Sequence, residues 1–159
     1  MLSVKGSVFH SMKYIILCIT YILPEGSPIY SNQLNNTGIF LLDETLLNLK
    51  HEYPDCYLYI AGDFNARTRD FRDYIPTDNL HVLYHEGVDY DTATFDLPRR
   101  NKDIIRYNNF GRTLVDLCCT YNIHILNGRC SDDSDGNYTC IANEGHSVVD
   151  YHLASSELF

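Results

Sequence analysis

Apolar residues recur along the chain in short runs parted by polar stretches. KYIILCITYIL (13–23) is apolar almost throughout, rich in Ile, Thr and Tyr, and closed by Pro24-Glu25-Gly26-Ser27-Pro28. That pattern predicts a buried strand followed by a turn. A Lys ahead of an apolar run also suits a signal peptide. However, no small-residue cleavage site follows, and the run is too short to span a bilayer. Over 37–53, Ile39, Leu42, Leu46 and Leu49 fall near one helical stripe, with Asn36 or Thr37 as cap and Pro54 as stop. A second strand is predicted at 56–61. The stretch 66–104 has few apolar runs and reads as loop. A second helix is predicted over 108–122, with Phe110, Leu114, Val115 and Cys118 inward and Gly111 as its weak point. Short strands follow at 124–126, 138–141 and 147–154. Strands alternating with helices predict a single α/β domain.

Composition supports a packed core. The 159 residues are 45% hydrophobic and 13% aromatic, which suits one domain with a real core and does not resemble a disordered composition. Twelve Lys+Arg against 21 Asp+Glu give a net charge of −9. That balance argues against gripping nucleic acid by bulk charge. It leaves a nuclease open, because carboxylates can hold a cation that then faces a phosphate. The six cysteines (18, 56, 118, 119, 130 and 140) form no C-x-x-C pair. They read as buried, reduced thiols of an intracellular protein, with neither a zinc site nor a redox pair.

The candidate chemistry begins where Tyr57-Leu58-Tyr59-Ile60-Ala61 stops at Gly62-Asp63-Phe64-Asn65. Along a strand Asp63 and Asn65 point the same way and can share one reacting atom. The same residues also make an ordinary turn. Asp150 lies inside apolar SVVDYHLAS, where a carboxylate is costly unless it is paired or functional. Tyr21 ends the first strand and is one of 13 tyrosines. Arg67, Arg99, Arg100 and Arg129 suit either phosphate contact or a salt-bridged surface. SDDSDG (131–136) lacks an acid at the first position of a calcium loop and has Ala142 where its last ligand belongs, so a solvated turn fits better.

Together these segments resemble the endonuclease/exonuclease/phosphatase superfamily with the DNase I-like fold. The closest resemblance is to the endonuclease domain of LINE-type (non-LTR) retrotransposons. CITYILPEGSPIY looks like the tyrosine-bearing strand, YIAGDFNAR the Gly-Asp-Phe-Asn segment, FGRTLVDLCCTYNIHILNGR the helix and strand leading to Asn-Gly-Arg, and DGNYTCI with SVVDYHLAS the Thr strand and the Ser-x-x-Asp-Tyr strand. The resemblance spans nearly the whole chain. It implies a partial four-layer α/β/β/α sandwich and a Mg²⁺-dependent DNA endonuclease, joined to a reverse transcriptase domain in a parent polyprotein. Such a protein would be intracellular, nuclear when functional, neither secreted nor membrane-bound.

The resemblance also implies roles. Asp63 would position or deprotonate the attacking water, or assist the leaving group. Asn65 would hydrogen-bond the scissile phosphate or orient a catalytic His. Tyr21 would donate to a phosphate oxygen, and Asp150 would pair with that His. Thr139 would support the phosphate-binding surface, and Arg129 would contact substrate. A metal-binding Glu ahead of the first strand and a later Ser-Asp-His motif match no position in this sequence. His146 and His152 are poor substitutes. The metal ligand is therefore unassigned, and the 159 residues alone are expected to be inactive or nearly so. A decayed retroelement remnant and a phosphoinositide phosphatase or sphingomyelinase are the alternative expectations.

Overall fold

The computed structural model describes residues 2–5, 14–32, 38–75, 98–143 and 145–158, with side chains at 2–5, 31 and 32 excepted. Strands β1 (Leu2–Lys5), β2 (Tyr14–Tyr21) and β3 (Tyr57–Asp63) are followed by β4 (Ile123–Ile125), β5 (Cys140–Ala142), β6 (Gly145–Ser147) and β7 (Asp150–Ser155). Helix α1 (Gly38–Glu52) joins β2 to β3, and α2 (Asn109–Tyr121) precedes β4. The α/β class is as expected.

The main sheet has the order β1-β2-β3-β7-β4. β2 and β3 are parallel, as a strand–helix–strand crossover requires. β1 is antiparallel to β2, and β7 is antiparallel to both β3 and β4. β5 and β6 form a separate hairpin. Alternation along each strand sorts the residues by face. Ile16, Leu58, Ile60, Ile123, Ile125, Tyr151 and Leu153 are buried beneath the helices. They meet Ile39, Leu42, Leu46 and Leu49 of α1 and Phe110, Leu114, Val115 and Cys118 of α2, the stripes expected from the 3.6-residue period. The other face leaves Ile19 92% exposed and Tyr21 68% exposed. Among the described residues, helices cover one face of the sheet.

Several boundaries differ from expectation. β3 continues through Gly62 to Asp63, because it pairs with β2 and β7 along that length. The strand expected at 147–154 is split between β6 and β7. Thr139 Oγ1 accepts from the amides of both Val149 (3.0 Å) and Asp150 (3.1 Å), so those amides leave the ladder. β1 was not expected. Of the loop expected at 66–104, residues 76–97 lie outside the described part, as do Lys13, Asn36 and Thr37; the remainder forms no helix or strand.

Local chemistry sets the ends of α2. Asn108 caps it, its Oδ1 accepting from Gly111 N at 2.8 Å, and Asn122 closes it in the left-handed conformation, φ 52°. Gly111 has a packing reason: a Cβ there would lie 2.0 Å from Arg67 O. SDDSDG is a turn organised by Asp133, which accepts from the amides of Gly128 and Asn137. All six cysteines are unpaired, and Cys130 and Cys140 are exposed, not buried as expected. Both sit in the turn-and-hairpin region outside the core.

Candidate functional site

The parallel strands β2 and β3 end side by side, and β7 begins against the end of β3. Register pairs Tyr21 with Asp63 and Asp63 with Asp150. Three of the expected residues thus stand in one row across three adjacent strands. Directly opposed residues of an antiparallel pair have Cβ atoms about 4.5–5.5 Å apart. Two carboxylates so placed repel unless a cation or donors offset them. The row faces away from the helices, while the next residues, Phe64 and Tyr151, turn into the core with ring centroids 6.0 Å apart.

Gly62 permits this meeting of strand ends. Its φ is +147°, and a Cβ there would lie 1.8 Å from Thr20 O. Beyond it, Asp63 Oδ1 accepts from the Asn65 amide at 2.9 Å. This is an Asx turn, so the turn reading and the paired-polar reading describe one local structure. Asn65 is left-handed, φ 47°. One amide hydrogen of its Nδ2 goes to Ile22 O at 2.8 Å, and Ile22 N donates to Asp63 O at 2.8 Å. Asn65 therefore ties the end of β2 to the loop after β3.

Thr139 holds the start of β7, where Asp150 begins, through its two amide contacts. It positions Asp150 and is separated in role from the open row. Asn127, the first residue of the Asn-Gly-Arg segment, completes the support. Its Nδ2 donates to Asp150 O at 3.2 Å, and its Oδ1 accepts from His152 N at 3.0 Å. His152 follows Asp150 by two residues and shares its face; its Nδ1 lies 2.8 Å from Tyr59 Oη.

Arg129 is not part of the row. It grips Asp73 with two bonds of 2.6 Å, and both side chains are buried. Its guanidinium is thus directed at a core carboxylate, which corrects the substrate-contact expectation. Burial alone would push Asp73 up. The Arg129 hydrogen bonds and charge, with the Ile125 amide, outweigh it and hold the carboxyl below its ordinary value. Arg67 pairs with Asp103 at 2.7 Å and reaches His146 O. Arg99 is buried against the carbonyls of Arg69 and Phe71. Only Arg100, 3.4 Å from Asp135, keeps the solvated surface setting. The neighbouring Cys118 thiol is pushed well up by burial, which makes it a poor nucleophile.

The row offers carboxylate oxygens, a phenol and an open approach. Hard divalent cations such as Mg²⁺ take one or two carboxylates and complete their shell with water and phosphate oxygens. Asp63 and Asp150 suit that donor set. Among the described residues, no three His, Cys, Asp or Glu side chains converge on one point. No helix among them is long and apolar enough to cross a membrane. No family model, curated protein or solved structure matches this chain.

Proposed function

We propose that the chain is a Mg²⁺-dependent phosphodiesterase domain of the DNase I-like class that nicks DNA, as the endonuclease of a non-LTR retrotransposon does. The observation that supports this most is the row Tyr21–Asp63–Asp150, formed by the carboxyl ends of parallel β2 and β3 and the start of antiparallel β7, with Asn65 beside it. Ligands of open α/β sheets gather at that end. In this reading Asp63, oriented by the Asn65 amide, positions or deprotonates the attacking water. Tyr21 donates to a phosphate oxygen, and the second amide hydrogen of Asn65 faces the same phosphate. Asp150, held by Thr139 and Asn127, orients a proton-carrying partner or shares a cation with Asp63. Bound Mg²⁺ would supply charge against the developing phosphorane. The sandwich fold, a partner reverse transcriptase domain and a nuclear place of action belong to the same proposal.

Plasmid nicking tests it. Supercoiled DNA and Mg²⁺ are incubated with the protein, the full reading frame included, and with its Asp63→Ala form. Loss of such a charge-positioning group is expected to slow nicking by about 10²-fold or more. Nicking that persists unchanged in Asp63→Ala removes the reading. No nicking by the full reading frame leaves a remnant without activity.

A further inference from the structure

The chain is acidic as a whole, yet its cations are segregated. Residues 67–72 and 99–112 hold eight of the twelve Lys+Arg and only two acids, Asp70 and Asp103. Those two stretches sum to +6, and the rest of the chain to −15. Arg67 and Arg99 are used internally. Arg69, Arg72, Arg100, Lys102, Arg106 and Arg112 are at least partly open to solvent.

Aromatic rings are interleaved with these cations. Tyr107 and Phe71 lie with ring centroids 5.6 Å apart and ring planes tilted by 59°. Arg112 lies over Tyr107 at 4.6 Å and donates to its Oη at 3.1 Å. Arg69 lies 5.8 Å from the Tyr107 ring and 5.7 Å from that of Phe71. Tyr107 is nonetheless 45% exposed, and Ile105 beside it 85% exposed. A guanidinium over a ring is drawn to its face, and the ring and guanidinium surfaces that stay open to solvent can meet a base or a phosphate.

We infer that this Arg69–Phe71–Tyr107–Arg112 cluster, with Arg106, is a docking platform for single-stranded nucleic acid. A duplex shows a protein mainly phosphates, which lysines alone would satisfy. Unpaired bases have π-faces, and aromatic and guanidinium planes bind them without sequence preference. The platform adjoins the candidate row. Asn108, next to Tyr107, donates to Asn65 O at 2.9 Å and accepts from Arg67 N at 2.8 Å. The inference deepens the nuclease reading and relies on it only for where the cut strand would lie.

Binding is measured apart from cleavage, by fluorescence anisotropy of labelled (dT)₁₅ in EDTA over a series of salt concentrations. A 15-base-pair duplex is the competitor. (dT)₁₅ is expected to bind more tightly than the duplex. Tyr107→Ala should weaken it about 5-fold or more, while Tyr107→Phe, which keeps the ring, binds near the parent level. The double variant Arg106→Ala/Arg112→Ala should lower the salt slope by about 1.4, or 0.7 per lost phosphate contact. Circular dichroism checks that the variants fold. No binding at low salt, duplex preferred over single strand, or Tyr107→Ala binding like the parent each overturns the platform. Binding is read in EDTA, where Mg²⁺-dependent nicking cannot occur, so failure of the catalytic reading leaves this result intact.

Discussion

At Asp73 the chain buries a full negative charge, made tolerable chiefly by Arg129, with the Ile125 amide and the Arg99 charge in support. Breaking such a pair costs about 3–5 kcal/mol because the remaining charge is left unpaired. Arg129→Met should therefore lower unfolding free energy by about that much near neutral pH, read from urea denaturation. The sign of the pH dependence follows from the direction of the Asp73 shift. Its folded value lies below the ordinary one, so the pair's contribution is complete above about pH 4 and fades as pH falls toward the folded value. In Arg129→Met the two largest contributions opposing burial are gone and Asp73 moves up from its parent value, so the gap between variant and parent should shrink on acidification. A gap that stays constant from pH 7 to 3 counts against this assignment. Nothing local in the sequence announces the pair. Its members are 56 residues apart, and Asp73 lies in a stretch without strand or helix period, whereas sequence patterns link only near neighbours. Asp63 and Asn65 were legible for the opposite reason: their partnership is two residues long.

The element that ties down the Asn65 loop beside the candidate row is the start of α2. Asn108 caps the helix through Gly111 N, accepts from Arg67 N and donates to Asn65 O. Its oxygen secures the helix, and its amide nitrogen secures the loop after β3. Two substitutions separate these functions. Asn108→Ala should cost about 1–2 kcal/mol, as loss of a cap does, and should also depress nicking. Asn108→Asp keeps the cap acceptor but sets a carboxylate oxygen against Asn65 O, so it should destabilise less than Asn108→Ala while nicking falls. Equal nicking by Asn108→Asp and parent would show that the Asn65 loop needs no such tie. The boundaries of α2 were readable because a cap and an apolar stripe are local signals. The break between β6 and β7 was not, because Thr139 removes two amides from the ladder from eight residues upstream of Ser147.

Across the whole molecule the sheet divides labour between its faces. One face packs under α1 and α2, and the other carries the row at one end and Ile19 farther along β2. The class was legible from alternating periods, but the strand order was not. β7, the last strand described, lies between β3 and β4, and no period encodes which strands become neighbours. The open face makes a distinct demand on solubility. An isoleucine 92% exposed on a sheet that also exposes Tyr21 is apolar surface open to solvent. Ile19→Thr keeps the β-branch and removes apolar surface. It should leave thermal unfolding within about 0.5 kcal/mol of the parent and reduce self-association measured by light scattering. A loss of about 2 kcal/mol or more would be the cost of vacating a packed position. Ile19 would then be covered in solution, and the face would be part of the core.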